Sequence, residues 1–146
     1  FALDPLHPVN RTRKLPVLGG ANYEPGGAEA LADRYQLAGD IAAHLHRSYG
    51  DQAKLVAELS TQYRHQRLIE NQPILVAEII HAARYEMAER VMDVLARRNS
   101  LALLDLEGSR KAVPRVLELM AAELGWDQKR YDEERHITEQ RLGDGL

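Results

Sequence analysis

Residues 77–88 read AEIIHAARYEMA, and DVLARR follows at 93–98. Apolar residues in and around the first segment recur every three or four positions, which is the spacing of one face of an α-helix. Pro73 suits the first turn of this helix, where its missing N–H group has no partner to lose. The predicted buried stripe consists of Leu75, Ile79, Ala82, Ala83 and Met87.

The apolar pattern continues beyond this stripe through Val91, Val94 and Leu95. Neither proline nor glycine marks a break near Arg84-Tyr85-Glu86, so periodicity alone does not separate one long helix from two. We expect two helices here, and we expect Asn99-Ser100 to end the second.

Two further helices are predicted before this region. The first covers about 28–49 and ends at Gly50, and the second is capped by the carboxylate of Asp51. The polar stretch 60–72 is predicted to be a frayed helix end followed by a loop. The apolar positions are Leu31, Tyr35, Ala38, Ala42, Leu45 and Tyr49 in the first helix, and Leu55, Val56, Leu59 and Tyr63 in the second.

Two more helices are predicted after it. Asp105 or Ser109 caps the first of them, so Pro114 should lie in its first turns, where proline is tolerated. Gly125 is predicted to end that helix, and Asp127 to cap the last one. The buried positions are Val113, Val116, Leu117, Met120 and Leu124.

The composition predicts one all-α domain, a small bundle of five or six helices. The chain has 146 residues, of which only 5% are aromatic, and this favours an aliphatic helical core. It has no cysteine, which excludes disulfides. A net charge of -3 with interleaved signs argues against nucleic acid as a partner. No apolar run approaches the roughly 18 residues of a membrane span.

The chain divides into three predicted parts. Prolines and two Gly-Gly pairs make residues 1–27 an extended lead-in. Residues 28–142 should form the helical domain, and 143–146 a frayed tail. The chain begins with Phe1 rather than methionine, which we interpret as a segment of a longer protein.

Several segments, taken in order, match the pattern of a known family. The most specific is Ala-Glu-Ile-x-x-Ala-x-Arg-x-Glu-x-Ala at 77–88, with 93–98 at the family's distance. Together they resemble the C-terminal helical domain of FAD-dependent glycerol-3-phosphate dehydrogenases. The other matching segments are Thr12, Leu15-Pro16, Leu18-Gly19-Gly20, His44-Leu45, Tyr49-Gly50, Pro114-Arg115-Val116, Met120-Ala121 and 123–127.

The resemblance implies the C-terminal cap of an enzyme that uses FAD to oxidise glycerol 3-phosphate to dihydroxyacetone phosphate and passes the electrons to quinone. The flavin and the catalytic residues would lie in an upstream FAD domain, against which this cap docks. No G-x-G-x-x-G turn or catalytic motif occurs in the chain. We therefore assign no catalytic, cofactor-binding or metal-binding residue here, and expect the fragment alone to be inactive.

The resemblance also implies where such an enzyme works. Quinone and the membrane surface would be reached through the upstream part. The expected location is the mitochondrial inner membrane in a eukaryote, or the face of the cytoplasmic membrane in a bacterium. Assembly into a homo-oligomer is left open.

The chain departs from the family pattern at two places. The family usually has Thr-Arg where this chain has Asn99-Ser100, and an aromatic residue where it has His81. The absent arginine removes a group that could tie the cap to the FAD domain. Whether Glu78, Arg97 and Arg98 contact that domain is left open by the sequence.

Charged and histidine residues have a structural interpretation beside a functional one. His44 and His46 are two apart and so on different faces of a helix, which favours surface or boundary histidines over a metal site. Glu78 and Arg84 could form a polar network inside the domain or face the FAD domain. We favour the internal network, because charged residues enter an apolar core only when paired.

Three other features are interpreted as structural. Glu86 and Arg90 lie four apart and could pair on a helix surface. Trp126 is expected to fold back onto the core after Gly125. A basic group could meet an acidic partner or anionic lipid, but we favour a solvated face because acidic residues lie among its members. Its members are Arg97, Arg98, Arg110, Lys111 and Arg115.

The alternative from a different class is a free-standing helical module for protein interaction or for binding DNA in the manner of a helix-turn-helix. Short helices joined by tight turns suit that reading, and Arg97-Arg98 lies near a helix end. A recognition helix, however, should gather basic side chains on one face. Here basic and acidic residues alternate, so we rank this alternative second.

Overall fold

A computed structural model describes residue 15 and residues 17–143. Within these residues it contains seven α-helices and no β-strand, so the all-α prediction is confirmed with one more helix than expected. A 3₁₀ turn precedes α3, and a π-helical segment precedes α5. The bounds are α1 Gly27–Tyr35, α2 Gly39–Tyr49, the 3₁₀ turn Gly50–Gln52, α3 Ala53–Gln62, α4 Val76–Tyr85, the π-helical segment Asp93–Arg98, α5 Leu101–Leu104, α6 Leu106–Leu124 and α7 Gln128–Gly143.

Helix α4 is the centre of the bundle. It packs against α3 on one side and α6 on the other, α1 and α2 pack against α3, and α7 covers α6. All seven residues 76–82 are buried, as expected of a helix surrounded by neighbours. The core is aliphatic, as predicted. Its largest fully buried apolar side chains include Leu45, Val56, Leu75, Ile79, Leu95, Leu117 and Met120.

The predicted helix at 28–49 is two helices, which corrects the first helix boundary. Gln36 has a left-handed backbone with φ 54° and ends α1. The N–H of Leu37 then bonds to the carbonyl of Ala32 at 3.0 Å, and the Leu37 side chain enters the core. Periodicity missed this break because a glutamine, not a glycine, occupies the left-handed position.

The region before α4 also differs from expectation. Asp51 does not cap α3; its carboxylate accepts hydrogen bonds from the Asn22 N–H and the Gln52 side chain. Pro73 lies in the loop before α4, which begins at Val76. An isolated antiparallel bridge between Arg67 and Leu75 closes that loop. Because the backbone of Leu75 is paired in this bridge, α4 does not extend back to Pro73.

The two expected helices at 75–98 are confirmed. Helix α4 ends at Tyr85, and the next helical residues begin at Val91. Met87 is not part of the buried stripe: it lies in the break, has φ 54° and is 86% exposed. Asn99 ends the π-helical segment, as predicted.

The predicted caps around α6 are confirmed, whereas the predicted position of Pro114 and the predicted burial of Leu124 are wrong. Asp105 caps α6 by accepting the Gly108 N–H at 2.8 Å, and Gly125 ends it with φ 64°. Asp127 accepts the Arg130 N–H at 2.8 Å at the start of α7. Pro114, however, is the ninth residue of α6 and not in its first turns, because the helix begins at Leu106. The last apolar position of the predicted stripe, Leu124, lies at the surface.

Two glycines join the N-terminal segment to the start of α3. The Asp51 N–H donates to the carbonyl of Gly19 at 2.9 Å. A Cβ on Gly19 would lie 2.6 Å from the Tyr49 carbonyl oxygen, and a Cβ on Gly50 would collide with the Gly19 carbonyl. Both glycines have positive φ, so the two chain segments approach at a distance that other residues do not permit. We call this contact the glycine clasp.

Parts of the sequence prediction fall outside the described residues. These are Thr12 and Pro16 in the lead-in and residues 144–146 in the tail. In the portion 17–143, no helix is both long enough and apolar enough to cross a bilayer.

Replacing Gly50 tests the clasp. Gly50→Ala should lower the free energy of unfolding by about 2 kcal/mol, because the new methyl group meets the Gly19 carbonyl and alanine rarely adopts this backbone. Gly39→Ala is the matched control, since a Cβ there meets nothing within 4 Å. Urea unfolding of both variants measures the difference. Equal stabilities would show that the clasp contributes nothing.

Candidate functional site

A buried carboxylate organises the candidate site. Glu78, on the first turn of α4, is 2% exposed. Its Oε1 accepts the Leu75 N–H at 2.7 Å, which caps the helix. Its Oε2 accepts the Tyr49 hydroxyl at 3.0 Å and Nε2–H of His44 at 2.9 Å. The two carboxylate oxygens therefore receive three hydrogen bonds, and Glu78 belongs to a polar network inside the domain.

The surface or boundary position predicted for His44 is wrong. His44 is buried, because its side chain turns inward from α2 to bond to Glu78. His46 lies two residues on and is only half-buried. Its ring bonds to the Glu24 carbonyl at 2.9 Å and packs on Tyr23 with ring centroids 4.6 Å apart. The two histidines thus have separate partners, as their spacing on a helix predicts.

Tyr49 connects this network to the surface. Burial raises the pKa of its phenol, and the nearby negative charges of Glu78 and Glu86 raise it further. The hydroxyl therefore stays protonated and donates to Glu78. The ring meets the edge of the His81 ring at a centroid distance of 5.5 Å, and the Tyr49 carbonyl touches Gly19.

His81 is buried between Tyr49 and Tyr85. Burial lowers the pKa of its imidazole, and this outweighs the opposite effect of Glu86 and Glu78. Its Nε2 lies 3.8 Å from a Glu86 carboxylate oxygen. Its Nδ1 is buried and has no hydrogen-bond partner among the described residues. The site thus favours a neutral imidazole at His81.

The predicted pair of Glu86 and Arg90 does not form. Helix α4 ends at Tyr85, so the two residues do not share a helix surface. Glu86 instead pairs with Arg98 at 3.2 Å, and the Arg98 guanidinium also donates to the Glu86 carbonyl at 2.7 Å. Arg90 reaches the buried carboxylate of Glu134 on α7 at 3.3 Å.

A cleft of about 170 Å³ lies at the surface end of this network. It brings together the lead-in, the end of α2 and the end of α4, which are three of the segments that carry the family resemblance. Sequence reasoning missed Leu18 and Leu55, because Leu18 was interpreted as linker and Leu55 as a buried stripe residue. The cleft is lined by Leu18, Ser48, Tyr49, Gln52, Leu55, His81, Tyr85 and Glu86.

The described residues contain no strand-to-helix turn of the kind that binds a flavin dinucleotide. A Gly26-Gly27 pair opens α1, and such an N-terminus can bind pyrophosphate when its backbone is accessible. Here the His46 ring occupies that space, with Nε2 2.7 Å from where a Cβ on Gly27 would lie. A larger cleft of about 470 Å³ nearby mixes both charge signs and lacks the strand-to-helix turn of a dinucleotide site. Nor do the described residues group three His, Cys, Asp or Glu side chains in a way that could hold a metal ion.

Four of the five charges of the basic group are paired with nearby carboxylates, which supports its interpretation as a solvated face. Arg97 pairs with Asp93 at 2.9 Å, and Lys111 lies 3.5 Å from Glu107. The remaining partners are Glu86 for Arg98, the Leu142 carbonyl for Arg110 and Glu118 for Arg115.

Two other predicted structural residues have identified contacts. The internal network predicted for Glu78 and Arg84 is wrong for Arg84, which lies at the surface, donates two hydrogen bonds to Glu123 at 2.7 and 2.8 Å and so joins α4 to α6. Trp126 is half-buried against the core, as expected, and the Arg130 guanidinium lies 5.6 Å from its ring.

The matching family model and the most similar curated proteins agree on one family. Residues 10–131 match the model of the C-terminal domain of alpha-glycerophosphate oxidase. A probable mitochondrial glycerol-3-phosphate dehydrogenase of Dictyostelium discoideum is 36% identical over 124 residues, which is 84% of this chain and 19% of that protein. The mitochondrial glycerol-3-phosphate dehydrogenase SDP6 of Arabidopsis thaliana is 35% identical, covering 88% of the chain and 23% of the relative.

The mitochondrial glycerol-3-phosphate dehydrogenase of Bos taurus is 33% identical over 131 residues, covering 86% of the chain and 18% of the relative. The chain therefore spans about a fifth of the length of the curated relatives it matches. No solved structure matched the chain.

Removing the charge of Glu78 tests the buried network. Glu78→Gln should lower the free energy of unfolding by about 2 kcal/mol, because an amide cannot accept all three hydrogen bonds. Tyr49→Phe should cost about 1 kcal/mol. In a double-mutant cycle the two effects should couple by at least about 0.5 kcal/mol. Strict additivity in denaturant unfolding would contradict the Tyr49–Glu78 bond.

The lowered pKa of His81 predicts a pH dependence of stability. The unfolded imidazole has a pKa near 6.5 and binds a proton more readily than the folded one. The contribution of neutral His81 to the free energy of unfolding is therefore fully present above pH 6.5. It is lost as the pH falls from 6.5 toward the lower pKa that His81 has in the folded protein. His81→Phe should reduce the loss of unfolding free energy between pH 7 and pH 5, measured by urea titration. His136→Phe, at an exposed position of α7, controls for removal of one histidine. An unchanged loss in His81→Phe would refute this assignment.

Proposed function

Since this chain belongs to the family of the C-terminal domain of alpha-glycerophosphate oxidase, we propose that it is the C-terminal domain of an FAD-dependent, quinone-linked glycerol-3-phosphate dehydrogenase. The observation that carries the proposal is the family match, which covers residues 10–131. Relatives named glycerol-3-phosphate dehydrogenase support it, each matched over about a fifth of its length.

The role proposed for this domain is to pack against the FAD domain and stabilise it. The enzyme's reaction is the oxidation of glycerol 3-phosphate to dihydroxyacetone phosphate, with FAD as the redox group held by the upstream domain. In this proposal no residue of the chain is catalytic or binds cofactor or metal. Support comes from Glu78, the most prominent charged residue of the family motif, whose carboxylate accepts three hydrogen bonds from within the domain.

The proposed division follows from this role. Residues 1–27 link the FAD domain to the helical domain at 28–142, and 143–146 form the tail. Quinone and the membrane surface are contacted by the upstream part, nucleic acid is not a partner, and a homo-oligomer is compatible with the role. The names of the relatives include the word mitochondrial, which supports the mitochondrial inner membrane as the location in a eukaryotic host. In a bacterial host the corresponding place is the cytoplasmic membrane.

Removing the domain from the full-length enzyme tests its role. Deletion of residues 28–142 should lower the melting temperature and reduce turnover of glycerol 3-phosphate with a quinone analogue by roughly tenfold or more. Co-expression of the 146-residue chain should restore part of both, because docking does not require a covalent link. Unchanged melting temperature and turnover after the deletion would contradict the stabilising role.

A further inference from the structure

One surface of the domain carries apolar side chains that the described fold does not bury. Leu18 and Tyr85 line the 170 Å³ cleft and are 82% and 68% exposed. Leu55 lines the same cleft and is 44% exposed, and Met87 lies two residues beyond Tyr85. We call the surface formed by Leu18, Leu55 and Tyr85, together with Met87, which follows Glu86 of the same cleft along the chain, the Leu18–Met87 face. A group of large exposed apolar side chains marks an interaction surface more often than an accident of composition.

The exposure of the Met87 side chain results from an unusual backbone conformation at that residue. A left-handed backbone at a residue other than glycine costs roughly 1–2 kcal/mol, and here it directs a methionine into solvent. The conformation is held from both sides. The Ala88 N–H bonds to the Ala82 carbonyl at 3.1 Å, and the Arg98 guanidinium bonds to the Glu86 carbonyl at 2.7 Å. The Met87 side chain is 86% exposed, so it is available to a partner.

Two of the carboxylates near this face are already paired within the domain. Glu86 pairs with Arg98 at 3.2 Å, and Arg84 forms a two-bond pair with Glu123. A partner that covers these two ion pairs would therefore leave neither carboxylate without a counter-charge, which removes part of the cost of burying a charged rim.

The glycine clasp indicates which partner covers the face. It fixes Gly19 against the end of α2, so Leu18, the residue before it, is held at the Leu18–Met87 face. Residues 1–14 reach at most about 50 Å when fully extended. A domain attached through them stays at an effective concentration on the order of millimolar next to this face.

We infer that the Leu18–Met87 face is the surface on which the preceding FAD domain of the same polypeptide docks. The inference rests on the proposed function, which places that domain upstream. It adds the location of the contact, which is the C-terminal end of α4 together with the glycine clasp. The α6–α7 side of the bundle is not part of this contact.

Cysteine accessibility in the full-length enzyme tests the location, because this chain has no cysteine of its own. Met87→Cys and Leu104→Cys are matched probes, since the native side chains are 86% and 84% exposed in the domain. Maleimide labelling of each native enzyme, read by mass spectrometry of the domain's peptides, should be on the order of tenfold slower at Met87→Cys than at Leu104→Cys. After denaturation the two rates should be equal.

Equal native rates, or slower labelling at Leu104→Cys, would overturn the assignment of this face. Protection at Met87→Cys that fades on dilution would identify a second copy as the occupant and would also overturn it. Flavin absorbance and glycerol 3-phosphate oxidation of the same preparations report on the proposed function separately. A flavin-bound, active enzyme with unprotected Met87→Cys refutes only the docking face, whereas an enzyme without flavin refutes both proposals.

Discussion

The structure depends on the need to satisfy one buried carboxylate. Glu78 is nearly inaccessible to water, and a buried carboxylate without partners would cost several kcal/mol. Its donors are the backbone of Leu75, the ring of His44 and the hydroxyl of Tyr49. These groups set where α4 begins and how α2 lies against it. A helix cap and an interhelical contact are thus provided by one side chain, which stands in the most specific motif of the sequence.

The same constraint extends to the surface through Tyr49. This residue donates to Glu78, packs against His81, and through its carbonyl and the following Gly50 meets the N-terminal segment at Gly19. The buried network therefore positions the cleft and the point at which the preceding chain leaves the domain. In the proposed role the domain orients an attached one, because its attachment point is held by the core.

The sequence predicts the helices best where a local signal specifies them. The all-α class, the caps at Asp105 and Asp127 and the stop at Gly125 follow from residue types with strong positional preferences. The break after α1 and the exposure of Met87 were not predictable from periodicity, because Gln36 and Met87 adopt a left-handed backbone that usually indicates glycine. The burial of His44 could not be predicted either, since its partner Glu78 lies 34 residues away. The motifs did indicate which segments matter, but only the fold shows that Gly19 and Gly50 touch.

The central claim is that this domain is one part of a flavoenzyme that oxidises glycerol 3-phosphate. The most direct measurement is the gene sequence immediately upstream of the codon for Phe1. The account predicts several hundred residues of alternating strand and helix pattern there, including a glycine-rich dinucleotide-binding turn. An initiator methionine directly before Phe1 would contradict it and would leave a free-standing helical module.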